Sequence, residues 1–247
     1  SAPNSAPSAP AAIRLQDAGS RLALAPKGSH LYFADAGQFW RVSLPSGDPQ
    51  RIPVTASMAL DVRPPAPIGW IPPAPSTRIS LRAVMAPSIA PDGSTLAVMA
   101  GGLLWEQPLA AGGAARQVDT GKAFARDPIY SPDGRSLAYV ASENGRRTLN
   151  VYDLGTRQAK TVFATGGAAW PLYPSWGPGG TRIVFQHTTD LGAPFRIVIV
   201  NVADGRTQEI ARTVGSWVAR PHFSGDGRSV FFTNRPGKIG ALYRVAT

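Results

Sequence analysis

Residues 127–153 read Asp127-Pro-Ile-Tyr-Ser131-Pro-Asp-Gly134-Arg-Ser-Leu-Ala-Tyr139-Val-Ala, then a polar turn, then Thr148-Leu-Asn-Val-Tyr-Asp153. Short apolar alternation on both sides of a Pro-Asp-Gly turn is the pattern of a β-hairpin. Proline pre-sets the backbone for the first central position, aspartate tolerates the second, and glycine takes the positive φ that closes the loop.

The turn returns as Ala25-Pro-Lys-Gly28, Ala90-Pro-Asp-Gly93, Gly177-Pro-Gly-Gly180 and Ser224-Gly-Asp-Gly227. After a first interval of 65 residues, the closing glycines follow at 41, 46 and 47. These spacings fit or come close to the roughly 40–45-residue period of a four-stranded propeller blade. Six positions before the glycine stands Pro87, Pro128, Pro174 or Pro221, with Leu22 in the first copy. Four before it is always apolar: Leu24, Ile89, Tyr130, Trp176 and Phe223. Apolar residues return three and five after it, from Leu31 and Phe33 in the first copy to Val230 and Phe232 in the last. Period-two apolarity buries one face of a strand. A third strand is expected over Phe39–Leu44, Leu103–Leu109, Leu149–Leu154, Ile197–Val202 and Leu242–Val245, and a fourth over Ala115–Val118, Lys160–Phe163 and Gln208–Ala211. The fold class expected is therefore all-β: a β-propeller of four-stranded antiparallel blades with five recognisable repeats. No 11-residue window carries a helical 3.6 period, so a helix longer than about three turns is not expected.

The Ser-Pro-Asp-Gly-Arg-x-Leu-Ala-Tyr pattern at Ser131–Tyr139 resembles the WD40-like (PD40) repeats of TolB-type propellers. The likeness covers about residues 13–247, and the proline six before the glycine is a further match. Within that group the chain is most similar to the propeller that precedes the catalytic barrel of bacterial amidohydrolases. There a proline-rich connection much like Val62-Arg-Pro-Pro-Ala-Pro67 also interrupts two repeats. The resemblance implies rings of six blades, and a catalytic barrel elsewhere rather than activity in this chain.

Residues 1–12 are a Ser/Ala/Pro leader expected to be extended linker. The propeller is expected over 13–247. Ile13–Gln16 resembles Arg116–Gly121, the fourth strand before the third repeat, and Thr247 follows the third strand of the fifth. Two readings stay open: Ile13–Gln16 pairs with Leu242–Val245 and closes a five-bladed ring, or the chain is a segment of a longer propeller. Six prolines between residues 62 and 82 surround Trp70, which makes that insertion an extended surface crossing with Trp70 as a candidate docking anchor.

The chain of 247 residues, 43% hydrophobic, can bury a full core. It has no cysteine, so disulfides and thiolate metal sites are excluded. Its formal charge is +10, carried mainly by arginine, which suits an acidic partner or simply reflects arginines spread over solvated strands. No arginine run interleaved with aromatics suggests a nucleic-acid groove. No apolar run reaches the roughly 18 residues of a membrane helix.

Repeat alignment places Arg21, Ala86, Asp127, Tyr173 and Arg220 just before the position of the minus-six proline. Phe124, Trp170 and Trp217 stand ten before their glycines, and His222 follows Pro221. The expected site is a channel mouth with Arg21, Arg126, Asp127, Tyr173, Arg220 and His222, rimmed by Phe124, Trp170 and Trp217. Arginine pairs with carboxylate and tryptophan supplies rigid contact area, so the mouth suits an anionic or peptidic ligand. In the bland alternative the aromatics fill space between blades and Arg126 pairs with Asp127. Catalysis is not expected from this chain, because only Asp127 reaches the mouth where a glycosidase needs two carboxylates. A Gly-x-Ser-x-Gly elbow is missing too. His30, His187 and His222 lack metal-ligand spacing, and His30 and His187 read as solvated turn residues. No cofactor and no metal are expected. The partner expected is a protein or peptide of acidic character, met by a monomer in the periplasm or outside a bacterial cell.

Overall fold

The computed structural model describes residues 23–25, 28–35, 38–44, 47–54, 84–121, 123–165, 170–188, 193–214, 219–234 and 240–247. Within them the chain forms five antiparallel sheets and no helix. The first blade is β1 (Ala23–Leu24), β2 (His30–Asp35), β3 (Gln38–Ser43) and β4 (Gln50–Ile52). The second is β5 (Val84–Ile89), β6 (Thr95–Ala100), β7 (Leu103–Pro108) and β8 (Arg116–Val118). The third is β9 (Phe124–Tyr130), β10 (Ser136–Glu143), β11 (Arg146–Asp153) and β12 (Gln158–Thr165). The fourth is β13 (Leu172–Trp176), β14 (Arg182–His187), β15 (Arg196–Asn201) and β16 (Thr207–Arg212). The fifth has three described strands, β17 (His222–Phe223), β18 (Ser229–Asn234) and β19 (Ala241–Ala246). In every sheet the strands pair in chain order, which makes each a meander and the whole a five-bladed propeller. The expected closure strand Ile13–Gln16 and the proline-rich insertion with Trp70 lie outside the described residues.

The repeated turn owes its sequence to hydrogen bonds that close it. The N–H of Gly28, Gly93, Gly134, Gly180 and Gly227 each donates to the carbonyl three residues earlier, at 2.8–3.0 Å. All five glycines have φ between 66° and 74°, where an L side chain costs roughly 1–2 kcal/mol. In Ser131-Pro-Asp-Gly134 the Ser131 hydroxyl donates to Asp133 Oδ1 and accepts from the Ser136 N–H at 3.0 Å. Asp133 Oδ1 also accepts the Arg135 N–H at 3.1 Å. The Ser131 hydroxyl, and after it that N–H, hold the Asp133 carboxyl below its ordinary value. Ser224 and Asp226 repeat the arrangement in the fifth blade.

The turns also touch one another. A Cβ on Gly134 would lie 3.3 Å from Pro91 Cδ, and one on Gly227 3.1 Å from Pro178 Cγ. The proline of one blade therefore sits over the closing glycine of the next, and the turn motif is a contact between blades as well as a bend. Gly227→Ala is expected to cost more stability than Gly93→Ala, although both have positive φ, because among the described residues none lies within 4 Å of a methyl on Gly93. The backbone share is about 1–2 kcal/mol in each. Equal losses in urea unfolding would show that the proline contact contributes nothing.

The core lies between blades. Tyr32, Phe39 and Ile52 meet Leu96, Val98 and Trp105 between the first and second. Met99, Leu104 and Val118 meet Tyr130, Leu137 and Tyr139 between the second and third. Val140, Leu149 and Val162 meet Trp176, Ile183 and Phe185 between the third and fourth. Val184, Ile197 and Ile199 meet Ala219, Val230 and Phe232 between the fourth and fifth. Polar ties cross these seams. The Tyr130 hydroxyl donates to Glu106 Oε1 at 2.7 Å, and within blade two Arg116 Nε holds the same carboxylate, 3.2 Å from Oε2. Trp176 Nε1 donates to the Ile129 carbonyl at 3.1 Å.

Candidate functional site

The residues before the repeated proline share one backbone feature. Ala86, Asp127, Tyr173 and Arg220 all have positive φ, between 44° and 54°. In the inner strands Ala86-Pro87 faces the single residue Val98, Asp127-Pro128 faces Tyr139, and Tyr173-Pro174 faces Phe185, as the register breaks show. Each is a β-bulge, two residues opposite one. A bulge leaves one residue out of the ladder, so proline's missing N–H costs no strand pairing there. In blades two, three and four the repeated proline thus marks a bulge in the inner strand.

On blade three the bulge buries Asp127, 4% exposed, while Arg126 is half-buried, its Nε 3.2 Å from Asp127 Oδ2. Trp170, which enters the fourth blade, packs on the core between blades three and four. The Arg126 guanidinium lies 5.8 Å from its ring centroid. On blade four, the ring of Tyr173 carries the Arg220 guanidinium at 4.9 Å, contributed by blade five. Arg220 is exposed, and its backbone is held from below: the N–H groups of Ala219 and Arg220 both donate to Oε1 of fully buried Gln186. Cation–π contacts of this kind contribute about 0.5–2 kcal/mol.

His222 lies on β17, with Nδ1 3.0 Å from the Ser175 hydroxyl across the seam between blades four and five. Phe124 opens β9 and is 46% exposed, its ring occupying the space a side chain on Gly102 would need. Arg21 and Trp217 lie outside the described residues. The structure brings Arg126, Asp127 and Trp170 together at one seam, and Tyr173, Arg220 and His222 around the next. Asp127 turns its carboxylate inward to Arg126, so the pairing of the bland alternative is present beside the cluster.

Arg147 belongs to the same cluster, and repeat alignment does not point to it. Its guanidinium lies 4.4 Å from the Trp170 centroid, nearer than that of Arg126. It follows the two-residue loop Asn144-Gly145, whose φ values of 50° and 77° fit a type I′ turn. The hairpin of blade three has two cross-strand pairs, Ser142↔Arg147 and Glu143↔Arg146, with no counterpart in the shorter hairpin of blade two. Counted back from Leu149, Leu104 and Ile197, Arg147 aligns with Gly102 of blade two and Phe195 of blade four, neither of which is basic. The Asn-Gly dipeptide was the available signal, since it sets the register that places Arg147.

His30 and His187 are not turn residues. Each occupies the end of a strand, and the His187 ring is 5.2 Å from that of Phe163. Burial lowers the His187 imidazole below its usual value. No described helix is long and apolar enough to cross a membrane.

Comparison with known proteins places the fold. Over 111 residues the chain is 29% identical to the uncharacterized peptidase YuxL of Bacillus subtilis (strain 168), a match covering 43% of this chain and 17% of YuxL. The crystal structure of TolB from Acinetobacter baumannii superposes with a TM-score of 0.68 at 18% identity, covering 92% of this chain and 51% of that one. Putative TolB from Agrobacterium tumefaciens gives 0.67 at 17%, covering 92% and 76%. The chain thus spans less than a fifth of the curated relative and about half of the first of these structures. Residues 110–247, more than half the chain, match the family described as the TolB beta propeller domain (PD40), and the chain belongs to that family.

Proposed function

We propose that this propeller is a non-catalytic binding domain of a bacterial envelope protein, and that its bulged inner-strand ends form a basic, aromatic-rimmed channel mouth for an acidic peptide or protein segment. The observation that carries the reading is the pairing of arginine with an aromatic ring at two successive seams, Arg126 with Trp170 and Arg220 with Tyr173. A guanidinium already held over a ring loses less freedom when a carboxylate joins it, and its fork matches both oxygens.

The test is binding of an acidic peptide to Arg220→Ala. Losing a charge-assisted bond costs about 1.5–3 kcal/mol, roughly ten- to a hundredfold in affinity. Melting temperature should fall by no more than about 4 °C, because Arg220 is exposed and its contact with Tyr173 is of the kind that contributes about 0.5–1 kcal/mol at such sites. Arg126→Ala is expected to weaken binding similarly but also to lower stability, since it strips an ion pair from buried Asp127. A fall of more than about 4 °C in Arg220→Ala, with no acidic ligand protecting the wild type in a thermal shift, would make the arginines structural.

A second reading, an accessory propeller beside a hydrolase's catalytic domain of amidohydrolase or other type, draws on the likeness to a protein described as a peptidase. A full-length reading frame that carries such a domain decides for it.

A further inference from the structure

Trp170 gathers two guanidiniums, from strands on either side of β10 in blade three. Arg126 comes from β9 and Arg147 from β11, at 5.8 and 4.4 Å from the same ring centroid. Asp127 is the acidic group paired with Arg126 in this cluster, at 3.2 Å. Both arginines are half-buried, and like charges held close in such a place are screened less than at an open surface. The ring's negative face offsets part of that repulsion. A ligand carboxylate would offset more of it and would meet two planar donor forks whose stacking restricts their orientation.

We propose that Arg126, Arg147 and Trp170 form one subsite for a side-chain carboxylate of an extended acidic peptide, with Arg220 and Tyr173 forming a second at the next seam. The inference rests on the peptide-binding reading above and adds Arg147 to it as a specificity-determining residue. Two subsites at successive seams require a ligand with at least two carboxylates, which favours a run of acidic residues over a single one. The double contact also predicts strong salt dependence, because each arginine–carboxylate pair is weakened by screening.

The experiment measures fluorescence anisotropy of labelled hexaglutamate and hexaglutamine on the full chain at 50 and 200 mM salt, with trigalacturonate as competitor. The wild type should bind hexaglutamate, more weakly at the higher salt, and not hexaglutamine. Arg147→Gln should weaken hexaglutamate at least tenfold and flatten its salt dependence. Arg147→Lys, which keeps the charge but not the planar stack, should fall between. The losses in Arg147→Gln and Arg220→Ala should add in the double variant, as for sites without shared partners.

Unchanged affinity in Arg147→Gln, beside weakened binding in Arg220→Ala, overturns the subsite and leaves the peptide-binding reading standing. A melting temperature lowered by Arg147→Gln with affinity intact assigns Arg147 to structure and overturns the subsite as well. Failure of the wild type to bind hexaglutamate overturns the peptide-binding reading itself. Trigalacturonate binding with the same arginine dependence, in place of hexaglutamate, replaces the peptide with an acidic sugar and overturns the proposed ligand class.

Discussion

Phe185→Ala is expected to destabilise the chain by about 3–5 kcal/mol, the usual range for truncating a buried phenylalanine. The ring is fully buried between blades three and four, 4.8 Å from that of Phe163 and in one cluster with Val140, Leu149 and Ile183. These neighbours stand on paired strands whose register is set by ladders, so they cannot close over the lost ring. Position 185 also faces the bulge Tyr173-Pro174 in the strand register, so the truncation falls on the sheet that carries Tyr173. Urea unfolding measures the loss. A cost below about 1 kcal/mol, less than a usual core truncation, would mean that the seam repacks and is not the rigid support of the site.

Raising the pH from 8 to 11 is expected to cost the fold about 1.4 kcal/mol for each of two tyrosines. Burial pushes the Tyr139 hydroxyl up to about 12 from an ordinary 10. Tyr130 is raised further, first by burial and then by its hydrogen bond to Glu106. Above pH 10 the unfolded chain releases these protons while the folded chain holds them. The unfolded state then binds fewer protons, so stability falls as pH rises. The contribution is complete below pH 10 and is lost progressively toward the folded value. Denaturant titrations at pH 8 and pH 11 should show the drop, and Tyr139→Phe should remove about half of it. A flat profile over that interval would mean that water reaches the two hydroxyls.

Much of the architecture was legible because it is written in local chemistry. Glycine at a positive φ and alternation of period two are properties of a few adjacent residues, and the repeat showed them five times, with the proline in four copies. The strands expected at Leu103–Leu109 and Gln208–Ala211 appear as Leu103–Pro108 and Thr207–Arg212. The equivalence of Ala86, Asp127, Tyr173 and Arg220, read from spacing, proved to be an equivalence of backbone conformation. Side-chain destinations at those positions were not legible, since the same backbone conformation leaves Asp127 buried and Arg220 exposed.

By itself, then, the sequence determined the blade, its turns, its bulges and the residues offered at each inner-strand end. Tertiary structure alone decided which blade touches which partner. Pro178 rests over Gly227, 49 residues on, and Tyr130 reaches Glu106 across a seam. Arg147 arrives beside Trp170 because one hairpin is longer than its neighbour by two residue pairs. Such contacts depend on hairpin length and on the docking of one sheet against the next. Hairpin length is marked locally by Asn144-Gly145, but the docking of one sheet against the next is not encoded in a window of adjacent residues, because the energy that selects it is burial between blades.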